Sequence, residues 1–372
     1  MAETAQLVFH APVRKGFKAE PVLLLNPNAY RLLIRPLLFR LPPESAQSLA
    51  EFALKRRIFW GSLSPALRVR DPWLTTTLCG IDLENPIGLA AGFDKNCEVL
   101  PSAAALGFGY VIGGTVTLEP KPGNARPRVL RNVKEESLVN ALGFPNRGLE
   151  FAARRLEREQ GDFGATKVMV SVSGTTVEEM VACHRRLEPL VHAVELNISS
   201  PNTAGLRVFQ EPDALRDLLG RVGDARKRPL FVKLPPYAAD DETDDRDRVL
   251  GLVRVCLREG VDGVTVANTR PVQDGRLAVG TGGQSGRPIF GDMVRMVAEV
   301  KGEVGDRMAI NASGGVFSGE DAWRALRAGA TTVQLLTGLI YRGPGLVKQV
   351  NRELLQIMAR ESATLSDGPD RT

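Results

Sequence analysis

The sequence predicts an α/β fold, a (β/α)8 TIM barrel carrying a small N-terminal two-helix extension. Two observations predict the barrel: apolar segments of strand length recur eight times from residue 86 onward, and helical patterns separate most of them. Such an alternation over roughly 250 residues puts parallel strands inside and helices outside. A third observation predicts the extension. Residues 21–75 carry apolar residues at helical spacing with arginines set between them, a texture absent from the rest of the chain.

In chain order, residues 1–20 are basic with scattered Glu and read as a flexible tail, not a signal peptide, with a weak targeting segment left open. Within 21–75, Val22-Leu23-Leu24-Leu25 and the stretch 30–41 make the first amphipathic segment. Pro42-Pro43-Glu44-Ser45 punctuates it, and 46–58 makes a second helix. This pair either caps the main domain or lies on a membrane surface with its arginines toward lipid phosphates. The barrel is assigned to 76–360, with strands at 86–91, 110–116, 167–172, 193–199, 230–234, 263–268, 308–313 and 332–337. Helical patterns at 177–187, 212–222, 245–259, 291–300 and 319–328 lie between most of them. The longest gap holds a Pro/Gly/Arg-rich loop, 118–148, and a loop of that length in a compact domain carries function. The acidic run 239–247 reads as a solvated face, and 361–372 as a polar tail.

Composition narrows the chemistry. Of 372 residues 43% are hydrophobic, enough for a sizeable core, and the net charge of +5 suits an anionic ligand or an acidic membrane surface. No Lys/Arg block with interleaved aromatics points to nucleic acid. Cys79, Cys97, Cys183 and Cys256 are scattered and read as reduced thiols, and with only His10, His184 and His192 a histidine-rich metal site is not expected. No segment reaches the roughly 18 apolar residues that span a bilayer.

Barrel chemistry sits on the loops after the strands, so the strand ends carry the argument. The fourth strand runs into Asn197-Ile198-Ser199-Ser200-Pro201-Asn202-Thr203, which alone reads as an Asx turn. The other ends match it. The first gives Ala90-Ala91-Gly92-Phe93-Asp94-Lys95, small residues that let a flat ligand near the backbone, then one lysine able to pair a carboxylate. The second gives Gly113-Gly114-Thr115, the fifth Lys233, suited to the electron-rich edge of a flavin, and the sixth Asn268-Thr269. Four asparagines, Asn140, Asn197, Asn202 and Asn268, offer donors and acceptors to a small planar ligand rich in carbonyl and N–H groups. After the last two strands, Ser313-Gly314-Gly315 and Leu336-Thr337-Gly338 lead into helices and make a phosphate site. The loop 281–288, Thr-Gly-Gly-Gln-Ser-Gly-Arg-Pro, adds a glycine-rich approach surface.

These residues resemble the dihydroorotate dehydrogenase family, from about Pro36 to the end of the last helix. The most specific pieces are Ala90 to Lys95, Gly123-Asn124-Ala125-Arg126-Pro127-Arg128, Asn197 to Arg207, Thr281 to Pro288 and Ser313-Gly314-Gly315. The N-terminal helices and Ser200 at the catalytic position resemble class 2, the membrane-associated, quinone-reducing form; class 1 carries cysteine there. The resemblance implies bound FMN and the oxidation of dihydroorotate to orotate in pyrimidine (UMP) biosynthesis. It further implies ubiquinone or menaquinone as acceptor and a monomer bound peripherally to a membrane through its N-terminal helices, on the cytoplasmic face in a bacterium. Ser200 would be the base, relayed by Thr203 and a water. Lys95, Asn140, Asn197, Asn202, Asn268 and Thr269 would hold the substrate, with Ala141, Leu142, Gly143 and Phe144 beside it. Ala91, Gly92, Thr115, Ser171, Asn197 and Lys233, then Gly286, Gly315, Leu336 and Thr337, would hold FMN, and Arg131 would lie near the quinone.

Some positions depart from class 2. Ser171 stands where an FMN-contacting asparagine is usual, Ala267 replaces a threonine beside the flavin, and Leu38, Gln47 and Leu336 replace polar or aromatic residues near the quinone. The segments 142–146, 195–197 and 233–237 lean toward class 1. The residues alone leave open a related FMN oxidoreductase with a soluble acceptor or another cyclic amide substrate, and a flavin-binding barrel without turnover. Ser200, Lys95 and four asparagines together argue against the last, since a binding scaffold needs no base.

Overall fold

The computed structural model describes residues 26–200, 205–223, 226–238 and 244–366. The predicted tail 1–20, residues 367–372 of the predicted polar tail, Val22 to Leu25, Asn202, Thr203 and 239–243 of the acidic run lie outside the described residues, while 361–366, expected as tail, continue the helix Leu346–Ser366.

Eight parallel strands close into a barrel in sequence order: β1 (Ile87–Asp94), β2 (Tyr110–Val116), β3 (Lys167–Val172), β4 (Ala193–Asn197), β5 (Leu230–Lys233), β6 (Gly263–Val266), β7 (Ala309–Ser313) and β8 (Thr332–Leu335). β8 pairs with β1 to complete the circle. Every residue of β2, β4, β5, β6 and β8 is buried, as expected of strands covered on both faces. Paired residues of neighbouring parallel strands face the same side, so the register Asn197 to Lys233 to Thr265 carries three polar side chains around the barrel together. A short hairpin, Thr76–Leu78 with Ile81–Leu83, plugs the opposite end by packing Leu78 and Leu83 against Tyr110, Met169 and Phe231. The cavity therefore opens at the strand C-termini.

The predicted strands at 110–116 and 167–172 keep their bounds, and the others shift by a few residues, the largest being β1, which runs on to Asp94. The helix Gly319–Arg327 starts where the Ser318 hydroxyl accepts the Asp321 N–H at 3.2 Å, and Val177–Leu187 starts on the same bond from Glu179 to Thr176.

Two expectations are corrected. The gap 118–148 is not all loop: Val129–Asn132 and Ser137–Asn140 form a hairpin, and the latter pairs with Thr281–Gly286, itself paired with Arg270–Gln273. The result is a four-stranded antiparallel sheet. These Gly-, Asn- and Arg-rich strands lack the apolar alternation that announces a strand, and their partner comes from 143 residues away. The predicted helix 46–58 is two helices, Pro43–Leu54 and Arg57–Leu67, broken at Arg56 with φ −84° and ψ 68°. Before them, residues 27–38 form a helix with a π turn at Tyr30–Ile34, placed where Pro36 removes the N–H that an α turn would need.

The extension is anchored by Leu54, Trp60, Leu67 and Leu74 in the main core. Its short helices leave Leu32, Leu33, Leu37, Leu49, Phe52, Ile58 and Phe59 exposed. No helix among the described residues is long and apolar enough to cross a membrane.

Candidate active site

A chain of polar side chains crosses the barrel mouth. Asn197, at the end of β4 and 4% exposed, donates from Nδ2 to the Thr115 hydroxyl at 3.0 Å. Thr115 in turn shares a 3.1 Å hydrogen bond with the Ser171 hydroxyl on β3. On its other side Asn197 accepts at Oδ1 from the Ser199 hydroxyl at 3.0 Å, and Ser199 accepts from Asn268 Nδ2 at 2.9 Å. The Asn268 Oδ1 then accepts the Thr269 N–H at 2.7 Å. Four strands of the barrel, β2, β3, β4 and β6, are thereby tied at their ends through side chains that still present polar edges inward.

A cavity of about 510 Å³ lies over this chain. Lys95, Asn140, Asn197, Ser200, Asn268 and Thr269 all line it, and Leu142, Gly143 and Phe144 supply a further wall. Ala91, Gly92, Thr115, Lys233, Gly315 and Thr337 line it as well. Leu336 and Arg131 do so alongside Tyr30, Leu38, Gln47 and Ala50 of the extension. The sequence-derived site and the apolar helices therefore share one space.

Three predicted residues stand outside that lining. Ala141 is buried against Val139 and Leu277, and offers its carbonyl to Asn124 Nδ2 at 3.0 Å. Ser171 lies behind Thr115, hydrogen-bonded to its hydroxyl. Gly286 packs beneath Gly315, whose added Cβ would fall 2.7 Å from the Gly286 carbonyl oxygen. Asn202 lies outside the described residues.

The cavity-facing peptide 140–144 is held from behind. Asn146 donates to Thr117 Oγ1 and to the Phe144 carbonyl, both at 2.8 Å, and accepts the Gly148 N–H at 2.8 Å. Held this way, Phe144 adopts φ 55°, a left-handed conformation unusual for a bulky residue. Asn140 donates to the Gly283 carbonyl at 3.3 Å across the sheet.

Two lysines stand out electrostatically. Lys95 makes no hydrogen bond or ion pair among the described residues; burial pulls its ammonium below the ordinary 10.5, while the nearby Glu51, Asp94 and Glu44 carboxylates pull it back up. Lys233 is 6% exposed and also makes no hydrogen bond or ion pair among the described residues, so it is not the solvent-reaching lysine that a strand end can carry. Arg131 is differently employed. It donates to the Phe39 and Leu41 carbonyls at 3.3 and 2.8 Å and stacks over the Phe39 ring at 4.5 Å, fastening the extension to the hairpin.

The flavin that the resemblance implies needs a backbone free of side chains, donors for its polar edge and a polar cradle for its phosphate. Gly315 has φ 70° and Gly286 φ 94°, and a Cβ on Gly286 would meet the Glu136 carbonyl oxygen at 2.2 Å. The Gln334 side chain lines the cavity close to the Tyr110 hydroxyl, and Lys233 stands in the same wall. Ser285 and Thr337 hydroxyls lie 2.8 Å apart where β8 gives way to the helix Thr337–Arg342. These features fit the group.

Sequence reasoning missed Gln334, Ser199, Ser285 and Asn146. Gln334 had a signal, a lone amide within the apolar strand Thr332–Leu335. Ser199 and Asn146 had none apart from their neighbours, because each also bonds a partner distant in sequence, Asn268 and Thr117 respectively.

A family model described as dihydroorotate dehydrogenase matches residues 73–358. Dihydroorotate dehydrogenase (quinone) of Chloroflexus aurantiacus is 38% identical over 354 residues, covering 88% of this chain and 96% of that protein. The Brucella anthropi protein of the same name is 37% identical over 351 residues, covering 90% and 93%. The crystal structure of DHODH from Eimeria tenella in complex with ferulenol superposes with a TM-score of 0.77 at 31% identity, covering 86% of this chain and 93% of that one.

Proposed function

The chain belongs to the dihydroorotate dehydrogenase family, and from that membership we propose roles for its residues. It is a flavin-dependent oxidoreductase that oxidises dihydroorotate to orotate in pyrimidine biosynthesis, with a quinone as acceptor. The observation that carries the assignment of roles is the single cavity lined both by Lys95 and the asparagines and by the apolar helices of the extension. A charged, amide-rich substrate and a greasy acceptor need such unlike walls, and a shared carrier between them.

The flavin is FMN, and when bound it supplies two-electron carrier chemistry between the two. Ala91 and Gly92 let a flat ring approach, while Lys233 and the Asn197–Thr115–Ser171 chain hold its edge. Gly286, Gly315, Leu336 and Thr337 receive the remainder, with the phosphate at the glycine turns after β7 and β8. Lys95 pairs the substrate carboxylate, its free ammonium being the strongest support for an anion there. Asn140, Asn197, Asn202 and Asn268, with Thr269, satisfy the ring amides. Ser200 removes the proton from the ring carbon beside a carbonyl. A serine hydroxyl is a weak base, so this requires an orienting network and exclusion of water. The adjacent Ser199, fixed to Asn197 and Asn268, holds the loop in place, Phe144 covers the site, and Thr203 relays the proton onward.

The extension, residues 21–75, forms the quinone side, with Arg131 at its border. Exposed Leu32, Leu33, Phe52 and Ile58, together with exposed Arg31, Arg40 and Arg56, support peripheral attachment to an anionic membrane surface by a monomer.

The test is anaerobic flavin absorbance. Dihydroorotate should bleach the purified protein and a soluble quinone should restore the colour. A yellow protein that dihydroorotate leaves unbleached would remove the substrate assignment, and one that bleaches without recovering in quinone would remove the acceptor.

A further inference from the structure

The helix Pro43–Leu54 and the substrate-facing peptide 140–144 meet at one carboxylate. Glu44, in the first turn of that helix, accepts at Oε1 from Arg128 Nε at 3.1 Å and Nη2 at 2.9 Å, and at Oε2 from Arg126 Nε at 2.9 Å. Arg126 is exposed and contributes little, whereas the Arg128 side chain is 8% exposed. Arg128 spends its other terminal nitrogen on the Pro122 and Asn124 carbonyls at 2.7 and 3.0 Å, closing the 122–128 segment into a ring around its guanidinium.

That segment is bonded directly to the substrate wall. The Ala141 N–H donates to the Arg128 carbonyl at 2.8 Å, the Asn124 N–H to the Leu142 carbonyl at 3.0 Å, and Asn124 Nδ2 to the Ala141 carbonyl at 3.0 Å. Asn124 also lies flat on Gly143, where a Cβ would come within 2.6 Å of its Oδ1. The same helix that carries Glu44 lines the main cavity with Gln47, Ala50 and Leu54.

We propose that Glu44 is a positioning residue for dihydroorotate: acting through Arg128, it locks the quinone-side helix to the peptide that presents Asn140 to Phe144, so that each holds the other in register. The inference rests on the function proposed above and adds a residue that touches neither ligand. Without Glu44 the Arg128 charge stays nearly buried with no carboxylate bound to it, and the ring around it is free to rearrange. Burial pushes the Glu44 carboxyl up, but the two guanidiniums outweigh it and hold it below the usual 4.5. A carboxylate held low is charged throughout the neutral range, so the lock is present there and is lost only as pH falls through that lowered value.

The experiment compares wild type, Glu44→Ala and Glu44→Gln with a dye acceptor, which leaves quinone out of the readout, and measures orotate affinity by calorimetry. Glu44→Ala should raise the dihydroorotate KM and the orotate Kd about fivefold, the loss of one charge-assisted hydrogen bond after solvent screening, with a smaller change in kcat. Glu44→Gln keeps an acceptor for Arg128 and should recover part of the affinity, a rescue that a merely structural ion pair would not show in KM alone. Unchanged KM and Kd in both variants would overturn the proposal. If Glu44→Ala loses its flavin or its fold, Glu44→Gln decides on the same two constants. A wild type whose flavin dihydroorotate does not bleach sinks the functional reading instead, and is seen before any variant is made.

Discussion

Ser200 is the residue to which the proposed function gives the proton transfer, and it lies 7% exposed in the cavity beside the hydrogen-bonded Ser199. Replacing it with alanine should leave orotate and flavin binding in place and slow anaerobic flavin reduction by about 10² or more, the usual loss for a positioned base. Near-normal reduction in a stopped-flow trace would take the role from it. Lys95 makes a different kind of claim, through charge. Burial draws its ammonium below 10.5, so the charge is lost as pH rises through that lowered value. Orotate affinity should therefore fall as pH rises, with its limb below pH 10.5, and Lys95→Gln should bind weakly with no such limb. An alkaline limb that survives in the variant would belong to another group.

The glycine turns test the element scale. A methyl on Gly315 would meet the Gly286 carbonyl oxygen and the Phe290 Cβ at 2.7 Å while forcing an L residue to φ 70°. The left-handed strain alone is about 1–2 kcal/mol, so Gly315→Ala should fold by circular dichroism yet hold flavin roughly tenfold more weakly in equilibrium dialysis. Undiminished flavin content would show that the turn is not part of the cradle. These turns were legible in the sequence because glycine clusters at strand ends have few other uses. The sheet over the mouth was not, since Ser137–Asn140 is a strand only by virtue of the Thr281–Gly286 edge beside it. The two-helix break at Lys55-Arg56 was equally hidden, because both halves keep helical spacing and neither Gly nor Pro marks the junction.

At the scale of the whole molecule the question is what the extension faces. Removing residues through 75 would strip Leu54, Trp60, Leu67 and Leu74 from the main core, so surface substitution is the cleaner probe. Changing Leu32, Leu33, Phe52 and Ile58 together to serine should abolish co-sedimentation with anionic vesicles and keep dye-linked turnover. Each side chain removed from the lipid boundary forfeits roughly 25 cal/mol per Å² of apolar area, so four act together where one would not. Retained vesicle binding by the fourfold variant would place the membrane contact elsewhere.

The sequence by itself determined the eight-stranded barrel and which strand ends bring Lys95, Ser200, Asn140, Asn197 and Asn268 to one cavity, because periodicity and strand-end chemistry are local properties written along the chain. Tertiary structure alone decided that Arg131 is spent on the Phe39 and Leu41 carbonyls, that Ala141 turns away while Gln334 turns in, and that Glu44 reaches the substrate wall through Arg128. Each of those depends on which distant segment arrives beside a side chain, and distance through space is set by barrel closure rather than by spacing in sequence.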